Sequence, residues 1–148
     1  MSLHLLDINV LVALCWTNHE QHAAATAWFK RQQRAGWATS ALTQSGFVRV
    51  SSNPRVFADA PSPVKAASIL AANLQHPSHR FLADDLSFRD AVEPFENRLS
   101  GHQQVTDAYL YGLAIRKRAV LATFDASIAE LAGGKAALLK SLLVLDAG

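Results

Sequence analysis

The sequence predicts an α/β fold built on one parallel sheet, and three observations carry that expectation. Short apolar runs alternate with segments of helical period along the whole chain, a pattern that calls for parallel strands joined by crossover helices. No linker, internal repeat or low-complexity tract interrupts the 148 residues, so the expectation is a single domain, 1–148. Half of the residues are hydrophobic and 18% are charged, a mix that builds a core without a disulfide or a structural metal.

The elements follow in order. HLLD reads as the first strand and INVLVALCW as a helix starting just after it. EQHAAATAWFKRQQRA sets Ala24, Ala27, Trp28 and Arg31 at helical spacing, and Gly36 stops it. GWATS is the second strand. Ser40 then caps SALTQSGFVRVSSN, which ends at Asn53 and Pro54 and has Leu42, Phe47 and Val50 to bury. Pro61 to Pro63 open the helix VKAASILAANLQ, with an apolar set of Val64, Ala67, Ile69, Leu70 and Leu74.

RFLAD is the third strand. In LSFRDAVEPFENRLSGHQ, Pro94 belongs in a first turn or kinks the helix. Thr106 is the expected cap of DAYLYGLAIRKR, whose Leu110, Leu113 and Ala114 form a stripe. AVLATFD is the fourth strand, ASIAELA a short helix and SLLVLD the fifth strand. Trp16, Trp28, Trp37 and Phe47 are core residues by their spacing.

A net charge of +2 and a pI near 8.9 are too mild to announce a nucleic-acid partner. Basic residues gather at Lys30, Arg31 and Arg34, at Arg49 and Arg55, and at Arg116 to Arg118, each explicable as a solvated helix face or a helix carboxyl end. The lone Cys15 permits no intrachain disulfide and reads as a small buried hydrophobe. With neither a basic leader nor a long apolar span, the expectation is a cytoplasmic protein that does not enter a membrane.

Asp7 breaks an otherwise apolar run, and a carboxylate buried there needs a partner or it protonates. It ends the first strand; Asp125 follows the fourth, and Asp107 lies in the first turn of the helix leading into that strand. Each has a local explanation, Asp7 and Asp125 as helix caps and Asp107 as a partner of the helix dipole. Local roles do not explain why all three fall at the carboxyl ends of one sheet, where open α/β folds place their ligands. Two carboxylates about 4 Å apart repel by roughly 4 kcal/mol at an effective dielectric near 20. A cation relieves that repulsion, and all-oxygen ligands select Mg²⁺ or Mn²⁺ over zinc.

Four stretches, LLDINVLVAL, TSALTQSGFVRVSSNP, FLADDLSF and GHQQVTDAYLYGLAIRKRAVLATFD, resemble in sequence and in order those of PIN-domain ribonucleases, in particular the VapC toxins of bacterial toxin–antitoxin pairs. The resemblance implies a PIN-like three-layer α/β/α sandwich around a five-stranded parallel sheet and a metal-dependent endoribonuclease site. Position by position, it makes Asp7, Asp107 and Asp125 the catalytic, metal-holding acids, with Asn9 and Thr123 supporting them by hydrogen bonds. Gln44 stands where many relatives carry a glutamate, so it supports the site as a neutral amide and a second ion would be held less tightly.

In that chemistry Mg²⁺ on Asp7 and Asp107 activates a water, Asp125 positions the ion or the water, and in-line attack leaves a 5′-phosphate and a 3′-hydroxyl. The implied substrate is structured RNA of the translation machinery. The implied partners are a cognate antitoxin, which pushes a basic side chain into the acidic groove, and a second copy in a homodimer. Arg49, Arg55 and Arg116 to Arg118 become candidates to rim the groove.

Some residues call for less. His19 and His22 lack a third zinc-type ligand and read as helix-start surface residues; His102 sits before the late helix as a turn residue; Asp84 and Asp85 read as a solvated loop. A phospho-acceptor receiver domain, also five-stranded and magnesium-binding, requires an acid pair after the first strand, where this chain has Asp7 alone. The stronger alternative is a PIN module that binds antitoxin or RNA without cutting, motivated by Gln44.

Overall fold

The computed structural model describes residues 2–147. Five parallel strands, β1 (His4–Leu6), β2 (Trp37–Thr39), β3 (His79–Phe81), β4 (Val120–Thr123) and β5 (Leu142–Val144), form one sheet in the order β3-β2-β1-β4-β5. Between β1 and β2 run α1 (Ile8–Cys15) and α2 (His22–Gln32), and between β2 and β3 run α3 (Ala41–Ser51) and α4 (Pro63–Asn73). The return to β4 passes through α5 (Phe88–Val92) and α6 (Val105–Arg116), and α7 (Ala136–Leu139) precedes β5. Helices cover both faces, as the alternation of strand and helix requires.

The pleat divides the core. Leu5, Ala38 and Leu121 face the cluster built on Leu110, Leu113 and Phe95, whereas Leu6, Trp37 and Ala122 face the cluster of Val10, Leu11 and Phe47. Trp28, Trp37 and Phe47 are buried as expected, and the half-buried Trp16 stacks on Phe47 at 6.4 Å while its indole N–H donates to Ser51 Oγ at 2.8 Å. Cys15 is half-buried, and burial pushes its thiol up to about 12, which keeps it a neutral packing group.

Local signals account for most helix starts. Asp7 caps α1 through Ile8 N–H, and Ser40 and Thr43 form a reciprocal capping box at α3. Ser62 caps α4 and Pro63 occupies its first turn. Pro94 falls in a 3₁₀ turn, Glu93–Phe95, that ends α5. Gly112 lets α6 approach α5 so closely that a Cβ there would collide with the Ala91 carbonyl.

Three expectations are corrected. Thr106 is not the cap of α6: a 3₁₀ turn, His102–Gln104, runs straight into the helix, and Gln104 Oε1 takes the N–H groups of Ser100 and Gly101 instead. In α4 the buried residues are Ala66 and Leu70, while Val64 is 78% exposed; its alanine-rich sequence fits more than one stripe, and packing against α3 chooses between them. ASIAELA is the short helix expected, wound as 3₁₀ over Ala126–Ala132. Asp84 is not a solvated loop residue, since its Oδ2 accepts from Leu42 N–H at 2.9 Å.

The central pair of strands creates the site. β1 and β4 are neighbours, with Leu6 paired to Ala122, yet the chain leaves β1 toward β2 and β3 and returns to β4 on the other side. Their carboxyl ends therefore open on the crevice where strand order reverses. No helix among the described residues is long and apolar enough to cross a membrane.

Candidate active site

Asp7 leaves β1 into this crevice and is only 5% exposed. Its Oδ1 accepts from Ile8 N–H at 2.8 Å and its Oδ2 from the Thr123 hydroxyl at 2.7 Å. The Thr123 oxygen in turn accepts from Asn9 Nδ2 at 3.3 Å and from Asp125 N–H at 3.0 Å, while Asn9 Oδ1 takes Phe124 N–H at 3.2 Å. Asn9 and Thr123 thus stitch the ends of β1 and β4 together and hold Asp7 by hydrogen bonding. Burial is the main force raising the Asp7 carboxyl above the usual carboxylate range; the bonds from Thr123 and Ile8 oppose it, and the Asp125 charge adds to it.

Asp107 reaches the same cleft from the first turn of α6, and Asp125 from the start of the 3₁₀ run after β4. Burial first, then the charges of Asp7 and Asp125, push the Asp107 carboxyl up to about 6. Asp125 also serves as a cap: its Oδ1 accepts from Ser127 N–H at 2.9 Å and Ser127 Oγ–H at 2.6 Å, and Oδ2 has no hydrogen-bond partner among the described residues. The cleft, about 340 Å³, is lined by all three aspartates together with Asn9, Thr106, His19 and Arg49.

The donor set is oxygen throughout. Among the described residues, no group of three or more His, Cys, Asp or Glu side chains is gathered to hold an ion by itself. That spacing does not suit zinc, which takes close tetrahedral sets of nitrogen and sulfur. A hard cation such as Mg²⁺ takes oxygen ligands, keeps several waters and uses one or two carboxylates directly. Asp7 and Asp107 are the side chains that could hold one, and Asp125 lines the same cleft.

Three sequence expectations differ at the site. Gln44 does not line the acidic cleft; its Nε2 donates to Thr39 Oγ1 at 3.0 Å, and it faces a groove between α3 and α4 with Ala67, Leu70 and Leu74. The Arg116 to Arg118 run lies at the other end of the strands, because α6 brings its amino end to the acids and its carboxyl end to the start of β4; Lys117 pairs there with Asp85 at 2.8 Å. Arg49 does line the cleft, and so does His19, which its sequence context alone did not single out. Arg55 and His102 are exposed and are not part of the lining.

An all-parallel α/β sheet whose order reverses at a crevice lined by three aspartates defines the class, and the chain belongs to the PIN domain family, whose model matches residues 4–134. Within it, the chain is 47% identical over 128 residues to Ribonuclease VapC38 of Mycobacterium tuberculosis, spanning 86% of this chain and 89% of that protein. It is 43% identical over 128 residues to Ribonuclease VapC44 of the same species, covering 84% and 87% of the two chains. The fold is similar to that in the crystal structure of VapBC2 from Rickettsia felis bound to a DNA fragment from their promoter, with a TM-score of 0.66 at 14% identity over 97% of this chain and 99% of that one.

Proposed function

We propose that the protein is a magnesium- or manganese-dependent endoribonuclease, the toxin of a toxin–antitoxin pair, acting in the cytoplasm on structured RNA of the translation machinery. The placement of Asp7 carries this reading: a buried acid, fixed by Thr123, shares one cleft with two further aspartates. Folding alone gains nothing from that repulsion, and a bound cation relieves it. The ribonuclease names of the relatives support RNA as substrate, and the toxin–antitoxin complex among similar structures supports an antitoxin partner.

Asp7 and Asp107 would hold a divalent cation, which when bound would supply a water of lowered pKa and neutralise phosphate charge. The protein's own part is to orient Asp7 through Thr123, to hold Asp107 on the first turn of α6, and to present the free Oδ2 of Asp125 to the ion or to the attacking water. In-line attack then leaves a 5′-phosphate and a 3′-hydroxyl. A basic antitoxin side chain placed among the aspartates would relieve the same repulsion and block the site. Exposed Phe88 and Val105, 44% and 42% accessible beside Tyr109, support a homodimer face.

The test is cleavage of total RNA by purified protein across a Mg²⁺ titration, with EDTA reversal and sequencing of the 5′ ends. Cutting undiminished in chelator contradicts the metal reading. A second reading, a PIN module that binds without cutting, is favoured by Gln44 being turned to Thr39; wild-type protein yielding no metal-dependent products would select it.

A further inference from the structure

The acidic cleft does not end at the aspartates. It follows α1 from Asp7 and Ile8 past Val12 to His19, beyond the helix's carboxyl end, and meets Arg49 from the last turn of α3. The eight residues of α1 span about 12 Å, and His19 follows four residues beyond its end. Among the described residues Arg49 forms no ion pair with the three acids, and it is exposed. One end of the cleft is thus anionic, and the other offers donors.

His19 is fixed in a way that surface placement does not require. Its Nδ1 accepts from Gln21 N–H at 3.0 Å, its own N–H donates to Trp16 O at 3.1 Å, and its ring packs on Phe57 at 6.4 Å. With Nδ1 occupied as an acceptor, the proton of the neutral ring sits on Nε2, which has no hydrogen-bond partner among the described residues. We propose that His19 is a substrate-binding residue: its neutral ring donates Nε2–H to a non-bridging oxygen of an RNA phosphate flanking the scissile one, beside a charged contact from Arg49. The proposal rests on the nuclease reading for the identity of the strand. Burial holds the imidazole below its ordinary range, which agrees with a neutral donor.

Two variants of the full chain separate donor from packing. His19→Phe keeps a ring against Phe57 without a donor, and His19→Gln keeps an N–H without the ring. Affinity for fluorescein-labelled bulk transfer RNA, a structured RNA of the translation machinery, is read by anisotropy in Ca²⁺, and kcat and KM for the same RNA in Mg²⁺. His19→Phe is expected to weaken binding and raise KM about three- to tenfold with kcat within about twofold, and His19→Gln to restore most of the loss. The salt slope is expected to stay unchanged in His19→Phe and to fall by about one in Arg49→Ala.

Wild-type affinity in His19→Phe, with weakening only in His19→Gln, overturns the proposal, as does a salt slope that drops in His19→Phe. Should wild type fail to cleave in Mg²⁺ while the Phe and Gln variants separate in binding, the nuclease reading falls and His19 stands as an RNA-phosphate donor with no scissile bond beside it. Should cleavage be intact and the two variants not separate, His19 falls alone.

Discussion

The Thr123 hydroxyl donates to Asp7 Oδ2 at 2.7 Å and is committed to that direction. Its two acceptor positions are filled by Asn9 Nδ2 and Asp125 N–H, so its single hydrogen has only the carboxylate to bond. One small side chain at the end of β4 thereby sets the orientation of the buried acid at the end of β1.

Thr123→Val, nearly isosteric, is expected to lower stability by about 1–3 kcal/mol, since it strips Asp7 of a bond and leaves Asp125 N–H and Asn9 without their acceptor. Removing a support of this kind is also expected to weaken Mg²⁺ or Mn²⁺ affinity by about 10–100-fold. Urea unfolding and calorimetric metal titration check the two effects separately.

Asp107 is expected to make the metal-free protein less stable at neutral pH. Its folded carboxyl is raised from 3.8 to about 6, so the folded state binds the proton more tightly than the unfolded chain does. Stability therefore falls as pH rises from 3.8 through about 6 and is level above that. Asp107→Asn in EDTA is expected to remove this slope and, after discounting for solvent screening of a half-buried group, to stabilise the protein at pH 7 by ~1 kcal/mol while abolishing RNA cleavage. Paired urea titrations of both proteins across this pH range measure the difference.

Gly112→Ala is expected to cost at least ~1–3 kcal/mol, because the added methyl meets the Ala91 carbonyl rather than a side chain that can swing away. Gly101→Ala meets nothing within 4 Å and is expected to stay within about 0.5 kcal/mol of wild type. Chemical denaturation of the pair checks the close contact between α5 and α6.

The legible parts were those that short-range chemistry decides. Asp7, Asp107 and Asp125 stand out because each directly follows an apolar strand or opens an apolar helix, and the order of strands and helices then brings them to one crevice. Ser40, Ser62 and Pro63 announce helix starts by local hydrogen bonds and ring geometry. The illegible parts depend on contacts between distant segments. Nothing near Val64 tells which stripe of α4 meets α3, and nothing near Gln44 tells that its amide turns to Thr39. His19 joins the cleft only because the segment after α1 folds beside the end of α3, and Arg116 to Arg118 leave it only because α6 runs back across the sheet.

The shared cation is tested most directly by calorimetric titration of Mn²⁺ into wild type, Asp7→Asn and Asp107→Asn at pH 7.5. Wild type is expected to show saturable binding that either substitution weakens by more than tenfold, while circular dichroism shows both variants folded. Equal Mn²⁺ binding by all three proteins, or none by wild type, would contradict a site shared by these aspartates.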